Sequence, residues 1–332
     1  MNRTRTITGL LLVASLAIGA CGTDESQATS SGPVELTPVS IQMYFLPEPG
    51  WGWHLYGIEH GIYAKHGIEL DLIPGQGSNF TMQQLNENQV QFGQASLLAY
   101  LANRAEVGSE TMVVYTPIDH PQAGILTTVP ADSLDDLDGT TIGMIPFTVL
   151  RNLLPIVLQE NGLEPDSIQI ETMSTSLGLL FEGTVDSIEG FLGGNVASNL
   201  HLAEEAGVDI YHLDLNDFGL EGYAHPLIVH NDVIENDPDL VRRLVAAMKE
   251  SANAALEATP EEIAELVHAH APEIAEEVVV LDWPDYRELI TESGLIESEV
   301  VEVNLGYVRD ALGIAHDLQA EDMFTNEFVP TD

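Results

Sequence analysis

Histidine, aspartate and glutamate are the side chains here best suited to acid–base or metal chemistry, and the 332-residue chain carries 11 histidines and 53 acidic residues. Their spacing argues against both uses. His54, His60 and His66 recur every six residues, which fails the geometry of a shared metal, and His268 and His270 diverge because they are two apart on a predicted helix. Cys21 is the only cysteine, and no GxSxG elbow, HExxH pair, GxxxxGK(S/T) loop or CxxC pair occurs. Neither catalysis, nor a metal, nor a cofactor is expected.

The residues suited to holding a small molecule are better placed. The stretch PEPGWGWHLYG, Pro47 to Gly57, sets Trp51 and Trp53 on a turn after a strand-like run. A flat indole there can stack on a planar ligand, worth about 0.5–1.5 kcal/mol beyond area burial. Trp53 is assigned to the core face of the following helix and Trp51 to the ligand. In PGQGS, Gly77, Ser78 and Asn79 open a helix with Ser78 as N-cap, leaving backbone N–H groups at the positive end of the helix dipole, although a plain tight turn would use the same glycines. Pro146, Phe147 and Thr148 make a counterpart after TTIGMI. Glu48 and Glu189 offer carboxylates that could accept hydrogen bonds from an amino-substituted ring; each also reads as one more acid among 53, and for Glu189 that plainer reading is the favoured one. Ser96 at the head of SLLAYLANRA, Asn195 after GFLGG, and Tyr223 join them by position. Anions are usually held by fixed cations, yet these loops contain no lysine or arginine; Arg151, one turn into a helix, and Arg104 are the nearest.

These loops depend on the elements around them. VSIQMYFL, residues 39–46, reads as a first strand, and residues 53–66 as a helix stopped at Gly67. IELDLI alternates apolar and acidic residues as a half-buried strand does. VQFGQA, TMVVYT, TTIGMI, SIQIETM and VDSIEGFL are further strands, alternating with SLLAYLANRA, PFTVLRNLLPIVLQENG and STSLGLLFEG as helices. Pro155 inside the second of these helices predicts a kink. VDIYHLDL and YAHPLIVH read as strands, and the remainder is almost wholly helical. Repeated strand–helix–strand units imply α/β architecture with mostly parallel sheets. With 45% hydrophobic residues the chain can fill two cores of ordinary size.

The amino terminus sets the compartment. Arg3 and Arg5 precede GLLLVASLAIGA, a 12-residue apolar run. It is shorter than the roughly 20 residues a membrane-spanning helix needs, so residues 1–20 read as a signal peptide. Ile18-Gly19-Ala20-Cys21 resembles a lipobox, with Cys21 as the lipidated residue and 21–38 as a flexible tether. The net charge of −43 is spread along the chain, which disfavours nucleic acid and anionic surfaces as partners and suits a solvated face at high salt.

From GIEHGIYAKHGIELDLIPGQGS through VQFGQASLLAYL, and again at LDDLDGTTIGM, LLFEGTVDSIEGF and NDPDLVRRLVAAM, the chain resembles extracytoplasmic solute-binding proteins of the NMT1/THI5-like, SsuA-like group that serve nitrate, sulfonate and pyrimidine-precursor import. The resemblance covers residues 39 to about 270. It implies a type II periplasmic-binding fold, with lobe one at 39–125 plus 225–332, lobe two at 128–222, and the ligand in a hinged cleft between them. In relatives that bind pyrimidine precursors the first loop resembles D-W-x-P-N-x-x-H, which falls here on Tyr44, Phe45, Pro47, Glu48 and Trp51. The aromatic and the proline are kept, while Glu48 and Trp51 replace asparagine and histidine. Fungal members that make a thiamine pyrimidine carry a cysteine-rich motif, which this chain lacks. The resemblance therefore implies a monomeric, lipid-anchored binding protein outside the cytoplasmic membrane, delivering ligand to an ABC permease and its ATPase. The expected ligand is a neutral or cationic planar heterocycle such as a thiamine pyrimidine precursor. Sulfonate, nitrate or a riboflavin-like compound are the alternatives within that class, and a sensory or structural lipoprotein without transport is the alternative outside it.

Overall fold

The computed structural model describes residues 36–146, 148–173, 177–313 and 318–331. The signal segment, Cys21, nearly all of the tether, Phe147 and the start of the STSLGLLFEG helix lie outside the described residues.

Ten strands form two five-stranded sheets among the described residues. The first holds β1 (Thr37–Gln42), β2 (Ile68–Ile73), β3 (Phe92–Gln94), β4 (Thr111–Tyr115) and β10 (Leu227–His230), in the order β2-β1-β3-β10-β4. The second holds β5 (Ala123–Thr127), β6 (Thr141–Met144), β7 (Gln169–Thr172), β8 (Ser187–Phe191) and β9 (Tyr211–Asp214), in the order β7-β6-β8-β5-β9. β1 pairs in parallel with β2 and β3, and β6 with β7 and β8, whereas β10 and β5 run antiparallel to their neighbours. The chain crosses between sheets at 116–122 and returns through 215–226, and that reversal makes both sheets mixed.

The helices are α1 (Gly52–Glu59), α2 (Ile62–Lys65), α3 (Ser78–Asn86), α4 (Leu97–Val107), α5 (Leu150–Glu160), α6 (Leu177–Phe181), α7 (Val196–Ala206), α8 (Asn231–Asn236), α9 (Pro238–Ala255), α10 (Pro260–His270), α11 (Glu276–Glu288) and α12 (Ser298–Leu312). Their ends follow side-chain chemistry. Asp237 accepts from the Leu240 N–H at 3.1 Å with Pro238 opening α9, and Thr259 accepts from Glu262 at 3.2 Å before Pro260 opens α10. Leu240, Val241, Leu244, Val245 and Met248 bury one stripe of α9 against the first sheet. A second apolar cluster runs from Met82, Val113 and Ile228 to Ile125, Ile142 and Leu154, with Val301 and Leu305 of α12 in it, and so joins both sheets.

Several expectations from sequence are corrected. β1 begins at Thr37, inside the stretch read as tether, and ends at Gln42, so Met43–Leu46 belong to the loop. The helix read across 53–66 is two helices, α1 and α2, with left-handed Gly61 (φ 68°) between them. The long helix begins at Leu150, not Pro146. β5 was not read at all, and it puts Ala123–Ile125, assigned to lobe one, in the second sheet.

Candidate functional site

A cavity of about 180 Å³ lies where the two sheets face each other, and the two crossing segments line it with Pro121, Gln122 and Leu220–His225, beside Ala123 at the start of β5. The carboxyl end of β1 supplies Tyr44, Phe45 and Glu48, and the carboxyl end of β8 supplies Phe191, Gly194 and Asn195. Ligands collect at such strand ends because loops and helix N-termini converge there. Phe45 and Phe191 are both half-buried, and they bring one phenyl ring from each side. Tyr44 stacks on His225 with centroids 3.3 Å apart and planes 9° from parallel.

Acidic groups set the polarity. Glu189 on β8 is 2% exposed; its Oε1 accepts the Ile145 N–H at 3.1 Å, while its Oε2 is buried without a hydrogen-bond partner. Burial raises its pKa, against the pull of the Thr148 hydroxyl, the Ile145 N–H and Arg151. Glu48 Oε1 accepts from the Tyr44 hydroxyl at 2.7 Å. Burial pushes Glu48 up to about 7, with the Tyr44 hydrogen bond opposing and the Asp282 charge adding to the rise. Glu221 is a third carboxylate on the wall, and among the described lining residues there is no lysine or arginine. His225 does not balance them, because burial drives its pKa down to about 3.

Of the residues expected at the site, the structure brings together Phe45, Glu48, Gly77, Ser78, Ser96, Thr148, Glu189, Asn195 and Tyr223. Their roles differ in detail from the expectation. Ser78 is not an N-cap: Gly77 precedes α3, and the Ser78 hydroxyl accepts the Ser96 N–H at 3.0 Å. Ser96 is the cap, accepting from Ala99 at 3.2 Å at the start of α4. The PGQGS amides are partly spent on the neighbouring loop, with Gly75 N–H on the Phe45 carbonyl at 2.9 Å and Gly77 N–H on that of Tyr44 at 2.8 Å. Asn195 turns its Oδ1 to the Phe191 N–H at 2.9 Å, and the Tyr223 hydroxyl accepts from Glu297 N–H at 2.8 Å.

Two residues stand apart from the cavity. Asn79 is exposed and does not line it. Trp51 is 0% exposed and lies in the core, its ring 5.6 Å from that of His270. The turn can sink this far because its glycines leave room: a Cβ on Gly52 would meet Ile263 of α10 at 2.3 Å. Trp53 is in the core as expected, stacked on His54. The sequence reading missed His225, Phe191, Gln122 and Asn304. Phe191 was legible from the strand-end rule applied to VDSIEGF; Asn304 carried no signal, since α12 reaches the cavity only through tertiary packing.

Among the described residues no group of histidines and acids is arranged to hold a metal, and no helix is long and apolar enough to cross a membrane. A family model described as NMT1/THI5 like matches residues 52–263. The fold is similar to that of the periplasmic aliphatic sulphonate binding protein SsuA from Escherichia coli, with a TM-score of 0.68 and 15% identity over 86% of this chain and 97% of that one. The ligand-binding component of an ABC-type import system from Staphylococcus aureus, solved with zinc bound, gives a TM-score of 0.65 and 13% identity over 88% and 97%. The desulfurization enzyme DSZB in complex with biphenyl-2-sulfinic acid gives 0.60 and 13% over 88% and 97%. No curated protein sequence matches this chain.

Proposed function

The chain belongs to the NMT1/THI5-like family, and from that premise we propose that it is the solute-binding component of an ABC importer, taking a small, flat, neutral or cationic heterocycle of the thiamine-pyrimidine kind into the cleft between its two sheets. The observation that carries this reading is the cavity wall: aromatic rings from both sides, carboxylates of Glu48, Glu189 and Glu221, and no fixed cation among the described lining residues. A sulfonate or nitrate would lose its hydration without gaining a charged partner. An amino-substituted ring would donate to the free Oε2 of Glu189 while its faces meet Phe45 and Phe191.

Size supports one ring. A cavity of about 150 Å³ accepts benzene, so about 180 Å³ suits a substituted single ring better than a fused riboflavin-like system. In this reading the two sides, one built on the sheet of β1–β4 and β10 and the other on the sheet of β5–β9, close by a hinge through the crossing segments. The closed form docks on the permease, and ATP hydrolysis elsewhere drives release. Cys21 carries the lipid anchor once residues 1–20 are removed.

Thermal-shift screening of the mature protein tests the proposal against 4-amino-5-hydroxymethyl-2-methylpyrimidine, riboflavin, ethanesulfonate and nitrate. A ligand at a hundredfold excess over its Kd adds about 2.7 kcal/mol of apparent stability. The aminopyrimidine is expected to raise Tm. A response to ethanesulfonate or nitrate alone overturns the heterocycle reading, and no response to any solute favours a lipoprotein without a transport role.

A further inference from the structure

α7 is capped from outside its own segment. Its N-cap residue Asn195 makes no side-chain bond to the helix, having turned its Oδ1 to Phe191. Asp282 of α11 takes over: its Oδ1 accepts the Ala197 N–H at 2.9 Å and the Ser198 N–H at 3.3 Å. The carboxylate is 0% exposed, and its Oδ2 has no hydrogen-bond partner. Burying a charge this fully is costly unless strong acceptor bonds offset it; the two amides at the positive end of α7 offset part of that cost, and burial still leaves the Asp282 pKa raised.

The two helices belong to different cores. Val279, Trp283 and Tyr286 anchor α11 in the core of the first sheet, whereas Val196 of α7 packs in the small cluster under the second. Next to the bond the backbones touch. Gly193 sits at φ 70°, and a Cβ there would lie 2.5 Å from the Tyr286 Cα, so only glycine fits. Across the same junction, Glu48 Oε2 is 3.8 Å from where a Cβ of Gly194 would stand. Just beyond α11, the Thr291 N–H donates to the Pro117 carbonyl at 2.9 Å, tying the helix end to the first crossing segment. Asp282 thus makes two buried hydrogen bonds from α11, on the side of the first sheet, to the start of α7, on the side of the second.

We propose that Asp282 is a positioning residue for ligand capture, a clasp that holds the Gly193–Asn195 wall against the Tyr44–Glu48 wall and so slows escape from the closed cleft. The proposal rests on the reading of the cavity as a ligand cleft. It predicts an effect on the separation of the two halves whatever the ligand is.

The test uses the mature protein with Cys21→Ser, spin-labelled at the exposed Leu202→Cys on α7 and Ile58→Cys on α1, with distances measured by double electron–electron resonance. Asp282→Ala is expected to lengthen and broaden the distance distribution. Asp282→Asn, which keeps an acceptor for the two amides, is expected to fall between Ala and wild type and serves as the folded control. With the aminopyrimidine as probe, Asp282→Ala should raise the dissociation rate about tenfold, the scale of one charge-assisted hydrogen bond, with the association rate within about twofold. Unchanged distances accompanied only by a lower Tm would reduce Asp282 to a local cap and overturn the clasp. If wild type does not bind the probe but the distances shift, the ligand reading fails and the clasp stands.

Discussion

Glu189 lines the cavity and has one carboxylate oxygen held by a backbone N–H and the other buried without a hydrogen-bond partner, so Glu189→Gln separates charge from shape. The glutamine carbonyl can keep the Ile145 bond, and the loss of a charged acceptor should weaken an amino-substituted ligand by about 1.5–3 kcal/mol with little change in Tm, read by calorimetry. Glu48 adds pH dependence. Its pKa rises from 4.5 to about 7 on folding, so the folded state binds more protons between those values. The stability this gives is present at low pH and is lost as pH climbs through about 7. Glu48→Gln should flatten that decline, by no more than about 3 kcal/mol, in denaturant titrations from pH 4 to 8. The groups facing it, Tyr44 and Asp282, supply no cation, so affinity for a cationic heterocycle should rise from pH 6 to pH 8 as Glu48 ionises. Trp51 makes the opposite case: because it is core, Trp51→Ala should cost about 3–5 kcal/mol of stability, measured by chemical denaturation. Its burial was not legible in PEPGWGWHLYG, since what covers it is α10 and α11, more than 200 residues away in the chain. Glu48 and Phe45 were legible because they depend only on following β1.

Among the elements, some follow local chemistry directly. β2 alternates as its sequence does, and α9 and α10 begin at an Asp-Pro and a Thr-Pro pair. Where tertiary contacts decide, the reading failed: AGILT is buried at every position as β5, carrying no alternation to find. Ser78 and Ser96 show how one local rule can attach to the wrong residue, since both stand at helix starts but Ser78 is the first residue of α3 and only Ser96 caps its helix. Ser96→Ala should therefore destabilise by about 1 kcal/mol. Ser78→Ala should cost a similar amount, because it likewise leaves one N–H, that of Ser96, without its acceptor. Paired thermal melts at one pH check both losses.

For the whole molecule, the net charge of −43 sets the response to solution conditions. The surface bonds in place, such as Lys65–Glu250 at 2.6 Å and Arg242–Glu327 at 2.7 Å, engage few of the acids. Self-repulsion among the rest should make stability climb with salt, since at 1 M the Debye length is about 3 Å. Tm is expected to increase steadily from 0.05 to 1 M sodium chloride and to plateau as screening completes; a flat profile would mean that the acids are already compensated. The sheet order β2-β1-β3-β10-β4 has a further result for how this chain acquires its shape. The strands of the second sheet are contiguous, so that sheet can complete early. β4, by contrast, has β10 as its one strand neighbour among the described residues and is bridged besides at Val113 to Phe324, and both partners arrive more than a hundred residues later. Closing that gap is a long-range step, and such steps are slow. Because Leu220–His225 lead directly into β10 and also line the cavity, the protein should become able to bind in the same late kinetic phase that protects the amides of β4 from exchange.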